Sequence, residues 1–137
     1  MKPTITTFLM FEGRAEEAMN FYMSTFEDSS LTSIERYDSG EMGAEGSVKK
    51  ATFALKGQQF MCIDSPVQHG FTFTPAISLF VDCESEVEID ALFATLSDSG
   101  HVMMPLSQYP FSPKFGWLSD KFGVSWQLNL SSPPVSS

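Results

Sequence analysis

The order of apolar and polar positions predicts ten elements. Residues 5–11 are β-branched and aromatic and stop at Glu12-Gly13, which predicts a strand. Residues 14–27 place Ala15, Ala18, Met19, Tyr22 and Phe26 at helical spacing, with Glu16, Glu17 and Asn20 between them. The Asp28-Ser29-Ser30 run ends that helix, and residues 31–37 form a second strand. Residues 38–46 carry three glycines among polar side chains and are expected to be a mobile loop. Two strands, 48–56 and 58–64, follow as a hairpin turned at Gly57.

The same order then recurs. After a Pro- and Gly-containing linker at 66–74, residues 76–81 form an apolar strand and residues 85–97 a helix. The apolar set of that helix is Val87, Ile89, Leu92, Phe93 and Leu96; Ser85 and Glu88 suggest a capping box and Gly100 a helix stop. A short strand at 101–104 ends at Pro105, residues 106–113 form a Pro- and aromatic-rich loop, and strands 115–119 and 124–130 close a hairpin through Asp120-Lys121-Phe122-Gly123. The Ser/Pro-rich tail, 131–137, is expected to fray. Strand–helix–strand–strand–strand, twice over, gives an α+β fold of two βαβββ modules, 4–65 and 74–130, within one domain spanning 1–130. A curved sheet with a helix on one face leaves its other face to be covered or to line a ligand cavity.

Composition narrows the function classes. Hydrophobic residues make up 42% of the 137, enough for a real core, and the 13 phenylalanines suit a thick core or an apolar cavity. Seventeen acidic against eight basic residues give a net charge of −9, which argues against a nucleic-acid surface, where clustered Lys and Arg are needed. Cys62 and Cys83 lack the spacing of a disulfide framework or a zinc site. No signal peptide or membrane-length apolar run is read, so a cytoplasmic location without membrane contact is expected.

Three segments carry a family resemblance covering residues 4–130. FEGRAEEAMNFYMSTF at 11–26, HVMMPLSQYPFSPKFGWLSD at 101–120 and DKFGVSWQL at 120–128, with its Asp-x-x-Gly-x-x-Trp hairpin, resemble the PhnB-like branch of the vicinal-oxygen-chelate superfamily, which includes glyoxalase, bleomycin-resistance proteins and extradiol dioxygenases. Many relatives carry the label 3-demethylubiquinone-9 3-methyltransferase, yet the sequence has no Gly-rich strand-to-helix turn of the kind that holds a nucleotide-like cofactor. No cofactor is expected.

The resemblance implies a divalent-metal position on the first and last strands of each module, held mostly by His and Glu. Here the corresponding residues are Thr7, Ala76, Gln127 and one near Met61 or Cys62. Ala binds no metal, and Thr and Gln are weak neutral donors. No metal site is expected.

Alternation puts Ile5, Thr7 and Leu9 on one strand face, Ala76, Ser78 and Phe80 on another, and Ser125, Gln127 and Asn129 on a third. On its own, the Ser-Gln-Asn series opposite Trp126 and Leu128 reads as a solvent face; the resemblance turns it inward. The candidate cavity wall is therefore Thr7, Leu9, Cys62, Ser78, Tyr109, Phe111, Trp117, Ser125 and Gln127. Tyr109, Phe111, Phe115 and Trp117 serve equally as packing for the loop or as an apolar lid. His69 and His101 match no ligand position; Asp64 and Asp120 read as turn residues, and Glu84, Glu86, Glu88 and Asp90 as a solvated charge run.

Three functions stand side by side. The first is a cofactor-free binder of a small, partly apolar molecule, working as a homodimer. The second is a metal-dependent lyase, isomerase or dioxygenase with a non-standard site built on Cys62 and Gln127, and the third is the methyl transfer of the family label.

Overall fold

The computed structural model describes residues 4–131, which divide into two compact units on either side of Gly70 and Phe71. In the first unit the order is β1 (Thr7–Phe11), α1 (Ala15–Thr25), β2 (Ser30–Arg36), β3 (Val48–Leu55) and β4 (Gln58–Asp64). The sheet runs β1-β4-β3-β2, with β1 parallel to β4 and the other pairs antiparallel. Helix α1 makes the crossover that a parallel pair requires. Its buried Ala15, Ala18, Met19 and Tyr22 pack over β3 and β4. The β3–β4 turn has positive φ at both central residues, Lys56 (50°) and Gly57 (80°), the conformation that matches strand twist in a two-residue hairpin.

Helix α1 has no local cap, because Arg14 stands at its N-cap position. Asp64, at the far end of β4, supplies the cap instead. Its Oδ1 accepts from the N–H groups of Gly13 (2.8 Å) and Ala15 (2.9 Å), and its Oδ2 accepts from Val48 N–H (3.0 Å). The carboxylate is buried, so Asp64 is a tertiary clasp on three segments and not the turn residue its sequence position suggests. The loop after β2, expected to be mobile, is tied at both ends. Tyr37 and Ser47 pair through Tyr37 N–H, Gly46 N–H returns to Tyr37 C=O, and Lys49 binds Glu41 at 2.6 Å.

The second unit holds β5 (Leu79–Cys83), α2 (Glu86–Ser97), β6 (His101–Tyr109), β7 (Ser112–Ser119) and β8 (Ser125–Leu130), in sheet order β5-β8-β7-β6. The pairing directions repeat those of the first unit. Here the helix cap is local: Glu88 N–H donates to Ser85 Oγ, and the Glu88 carboxylate reaches back to Glu84 N–H. Glu86 and Asp90 are not merely a solvated run, because both pair with Lys114 of β7. Gly100 serves differently from a helix stop. Ser99 takes the left-handed φ of 61°, while a Cβ on Gly100 would sit 2.2 Å from the Ser119 carbonyl.

Three strand boundaries differ most from the sequence expectation, one of them the start of β7, which lies at Ser112 and not at residue 115, so that the expected loop at 106–113 is largely strand. Pro75 and Ala76 form a turn, and β5 starts only at Leu79. Strand β6 runs through Pro105 to Tyr109, with irregular register against β7. It is the edge strand of its sheet, where the missing N–H of a proline leaves no ladder bond unmade. No described helix is long and apolar enough to cross a membrane. The expected frayed tail, apart from Ser131, lies outside the described residues; Ser131 N–H donates to Cys83 C=O.

Candidate functional site

Each sheet has a helix-covered face and an open face, and the buried residues tell them apart. In the second unit Val81, Cys83, Leu118, Trp126 and Leu128 are buried with Ile89, Leu92 and Leu96 of α2. Gly116 lies on the same side: a Cβ there would meet the Phe93 ring at 2.5 Å, so the missing side chain lets α2 approach. The intervening positions form the open face. Phe80 stands beside Gln127, Gln127 beside Trp117, and Trp117 beside Met104, while Phe115 stands beside Asn129.

These residues wall a pocket of about 480 Å³, lined by Phe80, Met104, Phe111, Phe115, Trp117, Gln127 and Asn129. That volume falls in the range of small-molecule sites. Phe111 lies at the β6–β7 turn and is held by its neighbours. Its ring stacks on Tyr109 at 5.7 Å and meets Phe115 edge-on at 5.0 Å, and Tyr109 meets Phe115 edge-on at 6.0 Å. The Tyr109 hydroxyl donates to the Pro105 carbonyl, which anchors the cluster to the backbone of β6.

A chain of hydrogen bonds fixes the polar wall. Trp117 Nε1 donates to Ser125 Oγ at 2.9 Å, the Ser125 and Ser78 hydroxyls pair at 2.7 Å, and Gln127 Nε2 donates to Ser78 Oγ at 3.3 Å. Asn129 is committed at both ends: its Nδ2 donates to Asp82 Oδ1 and its Oδ1 accepts from Ser112 Oγ. Gln127 keeps its Oε1 without a hydrogen-bond partner among the described residues. The pocket lining contains no basic residue.

Of the residues expected at the cavity wall, Phe111, Trp117 and Gln127 line this pocket. Ser78 and Ser125 hold Gln127 and Trp117 from behind, and Tyr109 braces the aromatic cluster. Thr7, Leu9 and Cys62 are placed otherwise. They belong to the first unit, and they lie on its helix-covered face with Phe11, Phe53 and Phe60. The open face of that sheet presents Phe8, Met10, Met61 and Ile63 instead, one residue out of the expected register. Cys62 is 1% exposed, and burial, with a smaller contribution from the negative charge of Asp64, pushes its thiol up to about 12. A thiol kept neutral in this way is a poor nucleophile near neutral pH. Four pocket residues escaped the candidate set. Phe80 and Asn129 share strand faces with Ser78 and Gln127, and Phe115 falls in the noted aromatic cluster, so alternation and proximity could have added them; Met104 carries no such signal.

The motif Asp-x-x-Gly-x-x-Trp proves to be a clasp. Asp120 Oδ1 accepts from Phe122 N–H and Val124 N–H, its Oδ2 accepts from Trp126 Nε1 at 2.8 Å, and Gly123 closes the turn at φ 92°. His69, which matches no ligand position, faces Ser65 Oγ through Nε2 at 2.8 Å.

The donor set does not fit the superfamily's metal. On β1, β4, β5 and β8 the open faces carry Phe8 and Met10, Met61 and Ile63, Phe80 and Asp82, and Gln127 and Asn129. These offer no imidazole, and the one carboxylate is already bonded to Asn129. Among the described residues no group of three or more His, Cys, Asp or Glu side chains could hold an ion.

Comparison with known proteins places the chain. The family model of 3-demethylubiquinone-9 3-methyltransferase matches residues 3–129. A PhnB protein from Bacillus cereus is 64% identical in its solved structure, with a TM-score of 0.92 over 94% of this chain and 100% of that one. Protein YjdN of Escherichia coli K12 is 23% identical, covering 92% of this chain and 94% of its own length. The fosfomycin resistance protein FosX of Listeria monocytogenes, solved with Mn(II) and 1S,2S-dihydroxypropylphosphonic acid, shares the fold at 10% identity and a TM-score of 0.66, over 96% of this chain and 95% of that one. The chain thus belongs to the 3-demethylubiquinone-9 3-methyltransferase family, whose members include PhnB-like proteins.

Proposed function

We propose that this protein binds a small, largely apolar organic molecule on the open face of its second sheet, without a catalytic metal, as a cytoplasmic homodimer. The observation that carries the reading is the pocket: a 480 Å³ recess with four aromatic walls, one thioether and two amides. Exposed aromatic surface in a concave site is what a flat apolar ligand would cover. Phe80 and Phe111 remain 57% and 65% exposed, so burying both rings would supply much of the binding free energy. Ordered side chains lower the cost of binding, and here Trp117, Gln127 and Asn129 are each held by a hydrogen bond from or to a neighbour.

The test is a thermal-shift screen of small aromatic compounds on wild-type protein and on the Phe80→Asp variant, with and without prior chelator treatment. Compounds that stabilise wild type should lose at least ten-fold in affinity in the variant, and chelator should change nothing. Hits that bind the variant equally well, or that disappear after chelation, would refute the reading. The cytoplasmic homodimer rests on the family resemblance; light scattering at micromolar concentration should return twice the 15.2 kDa chain mass.

A further inference from the structure

The polar atoms of the pocket that keep unused hydrogen-bonding capacity narrow the chemistry of its ligand. Gln127 is tethered through Nε2 to Ser78, and its Oε1 has no hydrogen-bond partner among the described residues. Asn129 has both ends of its amide occupied. The Trp117 indole N–H is spent on Ser125. The polar wall therefore offers one free acceptor, Gln127 Oε1, and as donors only the second N–H of the Gln127 and Asn129 amides, with no backbone or cationic donor among the lining residues. The seven lining residues include no Lys, Arg or His, Asp82 stands next to Asn129, and the whole chain carries a net charge of −9.

We infer that the ligand is a planar aromatic molecule with no negative charge that donates an N–H or O–H hydrogen bond to Gln127 Oε1. This rests on the pocket being the ligand site. Aromatic faces at Phe80, Phe111 and Trp117 favour a flat ring, since their π-faces are negative and pack against ring edges or over a second ring. A carboxylate or phosphonate placed here would lose its hydration with no cation to replace it, and would face the lone pairs of Oε1. A positive charge on the ligand is tolerated, because aromatic faces and Asp82 both attract it.

A matched set of probes tests the inference: 2-naphthamide, its methyl ester analogue methyl 2-naphthoate, and 2-naphthoate. The readout is the 1H–15N signal of the Trp117 indole, titrated with each compound, with the buried Trp126 indole as the control for folding. Naphthamide should bind at least ten-fold more tightly than naphthoate and several-fold more tightly than the ester, which has no donor. Gln127→Leu should erase the difference between amide and ester, and Gln127→Glu should weaken naphthoate further. Equal binding of naphthoate and naphthamide, with the Trp117 signal moving for both, would overturn the ligand class and leave the pocket reading intact. Failure of all three at millimolar concentration to move the Trp117 signal would overturn the pocket reading and this inference with it.

Discussion

Removing the Asp64 carboxylate should be among the most damaging single changes available outside the apolar core. The side chain is 4% exposed and accepts three backbone hydrogen bonds, from Gly13, Ala15 and Val48. In Asp64→Ala all three donors lose their partner. Gly13 is exposed and regains water, whereas Ala15 and Val48 are fully buried. An unsatisfied buried donor costs about 1–3 kcal/mol, so two of them, with the lost cap of α1, amount to about 3–5 kcal/mol. Asp64→Asn keeps one acceptor oxygen and turns an NH2 toward the remaining donor; its cost should be about 1–3 kcal/mol. The assay is urea unfolding followed by far-UV circular dichroism on wild type and both variants. A loss below about 1 kcal/mol in Asp64→Ala, or Asn destabilising more than Ala, would refute the argument that this carboxylate holds three segments together.

The other cap should behave more mildly: Ser85→Ala removes the single bond to Glu88 N–H and should cost about 1 kcal/mol in the same assay. Gly116→Ala should cost about 1–3 kcal/mol, because its methyl would overlap the Phe93 ring and force α2 outward; thermal unfolding would show it, and an unchanged melting temperature would count against the close approach. Cys62 should resist alkylation by iodoacetamide at pH 8 in the native protein and react once unfolded. Because its folded value is raised from 9.0 to about 12, the stabilisation from keeping the thiol neutral is complete below about pH 9 and is lost as pH rises toward 12. A Cys62→Ser comparison of melting temperature against pH would isolate that slope.

The legibility of the two sheets in the sequence differed for a physical reason. In β8 the series Ser125, Gln127, Asn129 alternates with Trp126, Leu128, Leu130, so its two faces differ in polarity and the open one can be read directly. In β1 both faces are apolar, Leu9 and Phe11 against Phe8 and Met10, and alternation alone cannot choose between them. There the family resemblance points to the Thr7 and Leu9 side and to Cys62, and the structure sets all three on the helix-covered face. The start of β5 was hidden in a continuous run from Pro75 to Val81, with nothing local to separate the turn from the strand. Pro105 suggests a stop in the sequence because its position on a sheet edge is a property of the whole topology, not of the neighbouring residues. Elements whose cause is local were legible: β4 with its tight turn, and the Ser85–Glu88 cap. The role of Asp64 depends on partners 16 to 51 residues away and left no local trace.

The parallel pairing of the first strand of each unit with its last has a consequence for biosynthesis. β1 cannot find its only sheet neighbour until β4 has been made, and β5 waits in the same way for β8. A growing chain therefore carries its opening strand with an unpaired edge until the closing strand leaves the ribosome. The cap on α1 arrives with the last residue of β4, so the helix and the sheet of the first unit lock together at one moment of synthesis. At about 5–20 residues per second, the stretch from Ser65 to Leu130 then takes on the order of several seconds, an interval in which the first unit can be complete while the second is still being made.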